Sequence, residues 1–208
     1  MKRSYGVGEM SRPPALSVSP RLESRRRLLE AIPATELRKF SGKSGPDRKV
    51  RRRRVGMDIT WVTDRIAVGG GIWNAENMAA VSRAGITHII DMQIEFDDTA
   101  LAGPHGIVVC WNPVDDDFES KPAEVFARGV EFALAALEED TTKLFVHCAA
   151  GVHRAPMMTL ALLGVMGWPV EDAMELIEGK RPAADFAEVY VRSVERFLNG
   201  RGMMEDRR

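Results

Sequence analysis

The sequence predicts an α/β fold in which a central, mainly parallel β-sheet is flanked by helices. From residue 61 onwards, short apolar runs of strand length alternate with longer segments of helix length. This alternation is typical of a sheet that helices cover on both faces. A hydrophobic fraction of 45% is ordinary for a protein with a buried core, and 208 residues suit one domain plus an extension.

The predicted elements follow one another in a regular order along the chain. Strands are predicted at residues 66–68, 86–91, 107–110 and 143–147. Helices are predicted at residues 74–83, 123–138, 157–168, 170–178 and 185–198. Glycines punctuate these segments, as at Gly85 between the first helix and the second strand. Because ligands of such sheets bind beyond the carboxyl ends of the strands, we expect the functional residues there.

Charge divides the chain into two regions. Residues 1–56 hold 16 Lys/Arg and 5 Asp/Glu, a net charge of +11, whereas residues 57–208 hold 13 and 25, a net charge of −12. We therefore expect a basic, disordered N-terminal extension at 1–56, a folded domain at 57–200 and a charged tail at 201–208. Two alternatives stay open for the extension: an arm that binds a membrane surface, nucleic acid or a partner, or a segment upstream of a start at Met57.

Composition also indicates which partners and which cellular compartment suit the folded domain. Its acidic balance disfavours nucleic acid as a partner. Two cysteines without repeated spacing argue for a reducing compartment, so we expect a cytoplasmic location. The N-terminus lacks the apolar core of a secretory signal, and the longest apolar run, at 157–168, has 12 residues and is too short to span a bilayer. The sequence leaves the oligomeric state open.

The segment KLFVHCAAGVHRAP, residues 143–156, carries the most chemical information. It predicts a strand, a loop that contains Cys148 and Gly151, and a helix that begins near Arg154. Backbone N–H groups of a loop that feeds a helix can bind one anion together, and an Arg guanidinium can donate to two phosphate oxygens at once. The same positive environment favours the thiolate of Cys148, which is therefore a candidate nucleophile.

His147, Cys148, Gly151 and Arg154 form an HCxxGxxR signature, and with it residues 58–200 resemble the dual-specificity branch of the protein tyrosine phosphatase superfamily. The segments ITWVTDRIAVGG, AGITHIIDM and EGKRP support this resemblance. The resemblance implies a catalytic domain that hydrolyses phosphomonoesters through a phosphocysteine intermediate, with no metal and no cofactor. Its implied substrates are small phosphomonoesters or proteins that carry phosphotyrosine, phosphoserine or phosphothreonine.

The loop residues are expected to bind the phosphate group. The equatorial phosphate oxygens would be bound by Arg154 and by the backbone of Ala149, Ala150, Gly151, Val152 and His153. The side chain of His153 has two interpretations, an added positive charge for the substrate when protonated or an exposed group without a role. His147 precedes the nucleophile as in the family, and we expect it to fix the loop through hydrogen bonds and to favour the thiolate.

The leaving oxygen needs a proton, so a carboxylic acid is expected across the cleft. Three aspartates lie in the segment NPVDDDFES, residues 112–120, which we call the acid loop and which follows the strand predicted at 107–110. The resemblance favours Asp116 as the general acid. Asp115 and Asp117 stay open as alternatives, as does a purely structural role in the turn.

Ala155 departs from the pattern of most dual-specificity phosphatases, in which a Ser or Thr follows the loop Arg. The Arg-Ala-Pro sequence is similar to that of the phosphatases of regenerating liver, which turn over slowly. A phosphate-binding module with negligible turnover is therefore one alternative function. A rhodanese-like or arsenate reductase-like enzyme is another, and the acid loop argues against it. Cys110 is expected as a buried strand residue, with a disulfide to Cys148 as the alternative.

Overall fold

A computed structural model describes residues 56–205 of the chain. Its strands are β1 (Ile59–Trp61), β2 (Ile66–Gly69), β3 (His88–Asp91), β4 (Val108–Trp111) and β5 (Leu144–His147). They form one five-stranded sheet in the spatial order β1-β2-β5-β3-β4. β1 is antiparallel to β2, and the other neighbouring strands are parallel. The predicted mainly parallel sheet is therefore confirmed.

Helices cover both faces of this sheet, as the sequence predicts. They are α1 (Ala75–Arg83), α2 (Thr99–Ala102), α3 (Ala123–Leu137), α4 (Arg154–Val165), α5 (Val170–Lys180) and α6 (Glu188–Glu205). Residues of α1 and α2 share a core with one face of the sheet, and residues of α3, α4, α5 and α6 share a larger core with the other face. A short 3₁₀ helix at Gly103–His105 leads into β4.

The strand side chains alternate between the two cores. In β5, Leu144 and Val146 pack in the larger core, whereas Phe145 packs in the smaller one. All four residues of β5 are buried, because β5 lies between β2 and β3 and is covered on both faces. The central position of β5 therefore fixes the point at which the chain leaves the sheet, directly after His147.

Helix α4 is the centre of the larger core. Its first ten residues, 154–163, are all buried, because α3, α5 and α6 contact it in addition to the sheet. A helix that is apolar on every side is expected at such a position. Each fully buried leucine, such as Leu160 or Leu162, contributes about 1.5–3 kcal/mol relative to an exposed one. The start of α4 is thus held firmly in place.

The structure differs from the sequence predictions in two short elements and in several element bounds; for example, the helix predicted at 157–168 runs from Arg154 to Val165. β1 and α2 were not predicted, because each has only three or four residues and too little periodicity to detect. The last helix begins at Glu188 rather than at residue 185, which leaves Asp185 in the preceding loop. That helix continues to Glu205, beyond the predicted end at residue 198.

The two cysteines lie apart, and both are free: Cys148 is buried directly after β5, whereas Cys110 in β4 is only half-buried and not fully buried as predicted. Cys110 in β4 pairs with Ile90 of β3, and Ile90 pairs with Val146 of β5, so two strand spacings separate Cys110 from β5. This corresponds to about 10 Å, beyond the span of a disulfide. The alternative of a disulfide between Cys110 and Cys148 is therefore wrong for this conformation.

Among residues 56–205, no helix is long and apolar enough to cross a membrane. The predictions for the basic extension fall almost entirely outside the described residues. The division into an extension at 1–56, a domain at 57–200 and a tail at 201–208 stays a prediction.

Candidate active site

The carboxyl ends of three neighbouring strands meet where the sequence places the candidate nucleophile. Gly69 at the end of β2 and Asp91 at the end of β3 both pair in register with His147 at the end of β5. Residues 148–153, which we call the phosphate loop, connect this point to the start of α4 at Arg154. The loop therefore lies at the carboxyl edge of the sheet, the usual ligand position in this architecture.

Five consecutive backbone carbonyls of the phosphate loop, those of residues 149–153, accept hydrogen bonds from residues outside the loop. The donor–acceptor pairs are Gly71 N to Ala149 O (3.0 Å), Arg181 Nη2 to Ala150 O (3.2 Å), Arg181 Nε to Gly151 O (2.7 Å), Asp185 N to Val152 O (2.9 Å) and Met157 N to His153 O (2.9 Å). Because a trans peptide points its N–H away from its C=O, carbonyls that are held outward turn N–H groups inward. This arrangement makes the loop a candidate anion site.

Gly151 is required at the tightest point of the loop. Its φ is +66°, and a Cβ there would lie 2.4 Å from Nη2 of Arg181 and 2.5 Å from the backbone of Gly69. Its N–H donates to Sγ of Cys148 at 3.3 Å. Cys148 is 1% exposed, so its sulfur lies at the floor of the loop with a backbone donor directed at it.

Arg181, which directly follows α5, holds the phosphate loop through hydrogen bonds to its carbonyls. Besides its bonds to the loop carbonyls, Nη1 and Nη2 donate to the two carboxylate oxygens of Asp58 at 2.9 and 2.6 Å, and Nη1 donates to Thr60. The guanidinium lowers the pKa of Asp58 chiefly through these hydrogen bonds. Arg181 follows α5 and Asp58 precedes β1, so residues far apart in sequence fix the conformation of the loop.

Arg154 makes hydrogen bonds through one edge of its guanidinium, whereas the Nε edge makes none to the part of the chain that the structure describes. Nη1 and Nη2 donate to the carboxylate of Glu95 at 2.8 and 2.7 Å, and Nη1 also donates to Val114 O at 3.1 Å. Nε is buried and has no hydrogen-bond partner among the described residues. The Nε–H and the second Nη2–H together form the two-donor fork that fits a phosphate.

The charge state of Arg154 is stabilised by the anions around it. Burial alone would lower its pKa, but the hydrogen bond to Glu95 and the nearby Cys148 and Asp116 outweigh burial, so the pKa is raised. In turn Arg154 holds the pKa of Glu95 below its usual range through the same hydrogen bond. Arg154 and Glu95 therefore remain an ion pair at neutral pH.

Asp116 lies close to Arg154, with Oδ2 3.8 Å from Nε. The Tyr190 hydroxyl donates to Oδ1 of Asp116 at 3.0 Å and accepts from the N–H of Phe118 at 2.9 Å. Burial, and then the contact with Asp116, raise the pKa of Tyr190 to about 12. Phe118 has a φ of +58° and stacks on the Tyr190 ring at 5.8 Å. One tyrosine from α6 thus fixes the conformation of the acid loop.

Asp115 and Asp117 are directed differently from Asp116. Asp115 Oδ1 accepts from the N–H of Asp116 at 2.8 Å, and Asp117 accepts from the N–H of Glu119 and forms an ion pair with Lys121. The pKa of Asp117 is lowered chiefly by the Lys121 hydrogen bond. Of the three aspartates, Asp116 is the one that the structure brings to Arg154.

His147 is buried in a cluster with two aspartates under the phosphate loop. Its Nε2 lies 3.0 Å from Asp98 Oδ2 and 3.7 Å from Asp91 Oδ1. Burial raises the pKa of Asp91 to about 7, although His147 opposes this effect. Asp91, Asp98 and His147 are of the types that could hold a metal ion, but the 3.0 Å separation is that of a direct hydrogen bond.

Exposed apolar side chains stand around the phosphate loop. Trp73 follows β2, Ile94 follows β3, and Phe118 lies in the acid loop, with exposed fractions of 48%, 54% and 52%. Trp73 contacts Phe96 at a ring separation of 6.2 Å. Acidic residues lie between or beside them: Glu95, Asp97, Asp115, Asp117 and Glu119. The rim is therefore both apolar and acidic.

The family model of the dual specificity phosphatase catalytic domain matches residues 71–197. The chain belongs to this family. This match covers the phosphate loop, the acid loop and all helices up to most of α6, so it includes every candidate site residue named in the sequence analysis. The resemblance expected from the HCxxGxxR signature is thus confirmed.

Solved structures of this family share the fold. PTPMT1 matches with a TM-score of 0.63 and 18% identity over 72% of this chain and 99% of that chain; a second PTPMT1 structure is a complex with PI(5)P. DUSP15 matches with a TM-score of 0.59 and 24% identity over 69% and 88% of the two chains. Human DUSP28 matches with a TM-score of 0.58 and 17% identity over 71% and 98%.

The structure places Asp116 3.8 Å from Arg154, brings Cys148 within electrostatic range of Arg154, and directs the Gly151 N–H at the Cys148 sulfur. It also adds residues that the sequence analysis did not select: Asp58, Glu95, Asp98, Arg181, Asp185 and Tyr190. A signal for Glu95 existed, because it lies four residues after the end of β3 at the sheet edge where ligands bind. Tyr190 lies on a helix with ordinary amphipathic spacing, and nothing in that pattern distinguishes it from core residues.

Proposed function

We propose that the protein is a cysteine-dependent phosphatase that hydrolyses phosphomonoesters through a phosphocysteine intermediate. One observation supports the proposal most directly: the loop carbonyls are bound by surrounding residues, the Gly151 N–H donates to Cys148 Sγ, and Arg154 Nε has no hydrogen-bond partner among the described residues. A tetrahedral phosphate carries oxygens that match such a ring of donors.

The proposed chemistry has two steps. The Cys148 thiolate attacks phosphorus, an S–P bond forms, the P–O bond breaks, and Asp116 gives its proton to the leaving oxygen. Water then attacks the phosphocysteine and gives a proton to Asp116, while the S–P electrons return to Cys148. Arg154 and the loop N–H groups stabilise the equatorial oxygens in both steps.

The rim favours some phosphomonoesters over others. Exposed Trp73, Ile94 and Phe118 can pack against an apolar or aromatic group beside the phosphate. Although Glu95 and Asp117 are neutralised by ion pairs, the acidic side chains of the rim still disfavour a polyanionic ligand such as the PI(5)P in the PTPMT1 complex. We therefore propose phosphotyrosine as the best substrate, with phosphoserine and phosphothreonine also accepted. Two free cysteines and a catalytic thiolate favour a reducing compartment such as the cytoplasm.

The decisive experiment measures hydrolysis of p-nitrophenyl phosphate with excess EDTA present. We expect turnover that vanadate inhibits and that Cys148→Ser abolishes. Arg154→Lys should lose nearly as much activity despite its positive charge, because an ammonium cannot provide two donors in one plane. The matched control Arg192→Lys alters an exposed arginine of α6 and should retain full activity. Activity that depends on an added divalent ion, or that persists in Cys148→Ser, would contradict the proposal.

A slow-turnover phosphate-binding module is the second candidate, and Ala155 is the observation that favours it. Without a hydroxyl at this position, the departing thiolate lacks a hydrogen bond of about 1.5–3 kcal/mol, which corresponds to roughly 10–150-fold in the second step. Rapid mixing should then show a burst of product near one equivalent, and Ala155→Ser should raise the steady rate and reduce the burst. No burst and no effect of Ala155→Ser would assign the limiting step to phosphoenzyme formation.

A further inference from the structure

The imidazole of His153 lies between two carboxylates. Nδ1 is 3.1 Å from Asp116 Oδ2, and Nε2 is 3.3 Å from Asp185 Oδ2. The edge of the ring meets Phe118 at a centroid distance of 5.0 Å, and the side chain is only 18% exposed. His153 therefore links three segments: the phosphate loop, the acid loop and the loop before α6.

Both ring nitrogens are engaged by these contacts. A ring nitrogen that shares a proton with a carboxylate cannot donate that proton to a phosphate oxygen at the same time. Although the backbone of His153 belongs to the phosphate loop, its side chain faces Asp116. The geometry does not match a side chain that binds phosphate.

We propose that His153 is a positioning residue for the general acid, with Asp185 fixing its ring. This inference rests on the proposed function. Asp116 is then held at both oxygens, since Tyr190 donates to Oδ1 and His153 contacts Oδ2. A carboxyl group held at both oxygens keeps the orientation that transfer to the leaving oxygen requires.

The hydrogen bond between Asp116 and His153 contains one proton, which either residue can carry. A neutral ring whose Nε2–H donates to Asp185 accepts at Nδ1 from the Asp116 carboxyl group, whereas a protonated ring donates to both carboxylates. In the first step the leaving oxygen takes one proton from this pair as the P–O bond breaks. In the second step the attacking water returns one proton to the pair as the S–P bond breaks, so protons balance over the cycle.

Other charged and titratable groups lie around this pair. Arg154 Nε lies 3.8 Å from Asp116 Oδ2, and Glu95 pairs with the far edge of Arg154. Lys121 lies over the Tyr190 ring at 5.3 Å and pairs with Asp117. Cys148 lies close enough to Arg154 to interact with it electrostatically. A variant that changes only His153 leaves all of these groups in place.

The test compares His153→Ala with His153→Asn in the full chain. Asn can place a polar atom near the position of Nδ1, so it can contact Asp116 but not Asp185. With phenyl phosphate, which has a poor leaving group, His153→Ala should slow the first step, measured in single turnover, by about 10-fold, part of the 10²–10⁴ that a general acid contributes. His153→Asn should recover part of this rate, and the basic limb of the pH–rate profile of the first step should move. With 2,4-dinitrophenyl phosphate the loss should nearly vanish.

A binding measurement distinguishes this role from phosphate recognition. Inorganic phosphate is titrated into the Cys148→Ser chain with and without His153→Ala, and we expect equal dissociation constants. His105→Asn, at an exposed histidine before β4, is the matched control. Weaker phosphate binding, or equal losses for all leaving groups, would overturn the inference and make His153 a phosphate ligand. If turnover depends on Cys148 but is unchanged by His153→Ala, the inference is wrong and the proposed function stands. If no Cys148-dependent turnover is found, the proposed function is wrong and the inference falls with it.

Discussion

The phosphate loop and the acid loop are stabilised in different ways. All five carbonyls of residues 149–153 accept hydrogen bonds from groups outside the phosphate loop. Arg181 donates two of these hydrogen bonds, and Arg181 is itself held by Asp58. The first residues of the acid loop are also tied through backbone groups, to Asp91, Met92 and Arg154. Around Asp116, however, the loop depends on a few side-chain contacts and on one hydroxyl that also holds the strained Phe118 backbone. The comparison indicates that the anion site is preformed by backbone, whereas the position of the proton donor depends on individual side chains.

The largest effect is expected from Arg181→Ala. This change removes the donors of two loop carbonyls and leaves Asp58 unpaired, so we expect a loss of stability of roughly 2–5 kcal/mol and at least about 100-fold lower kcat/KM, equivalent to roughly 3 kcal/mol. Urea unfolding and p-nitrophenyl phosphate hydrolysis measure the two effects. Full activity in Arg181→Ala would show that the loop conformation does not depend on this support.

Asp91→Asn tests the buried cluster below the phosphate loop. The Asp91 pKa is about 7 in the folded protein against 3.8 for a free side chain. Between pH 3.8 and about 7 the folded state therefore binds more protons at Asp91 than the unfolded state does. As a result, the free energy of unfolding falls as the pH rises through this range. The difference corresponds to on the order of 4 kcal/mol.

Asp91→Asn should remove most of this decline, and it should be more stable than the unmodified chain at pH 8 but not at pH 4. Urea midpoints at both pH values measure the effect, with the exposed Asp140→Asn as control. A parallel decline in Asp91→Asn and the unmodified chain would exclude Asp91 as its source.

Tyr190→Phe tests the acid loop with a single atom. The stacked rings remain, but Asp116 Oδ1 loses a donor and Phe118 N–H loses its acceptor. We expect the first step with phenyl phosphate, measured in single turnover, to be about 10-fold slower and the stability to be about 0.5–1.5 kcal/mol lower. Binding of inorganic phosphate should not change, because the phosphate loop is built independently. A weakened phosphate affinity would break the proposed separation between the two loops.

The smallest effect is expected from removing residues 1–56. A chain that begins at Met57 keeps Asp58 and every candidate site residue, so its kcat/KM on p-nitrophenyl phosphate should stay within about two-fold. A chain that begins at Ile59 keeps β1 but lacks Asp58, and it should be markedly less active and less stable. Equal behaviour of the two shortened chains would show that the Asp58–Arg181 pair contributes little.

The sequence predicts a site residue well when its partners lie close to it along the chain, and poorly when they are far apart in sequence. Cys148, Gly151 and Arg154 lie within seven residues, and local backbone geometry brings them together, so the sequence sufficed to locate them. Glu95, Arg181 and Tyr190 reach the same place only through the strand order and the packing of α5 and α6. Their positions depend on register and helix rotation, which a residue pattern does not determine. Asp185 was assigned to a helix because its segment has helical spacing, yet it belongs to the loop that holds His153.

The ion pair between Asp58 and Arg181 has a consequence for protein engineering. A fusion partner attached directly before Met57 would be joined two residues from a group that holds the phosphate loop through one guanidinium. Such a partner would need a flexible spacer if activity is to be preserved. Conversely, a ligand-binding domain fused there without a spacer could pull on β1 when it binds its ligand. This attachment point therefore offers a direct route to a phosphatase with an engineered input.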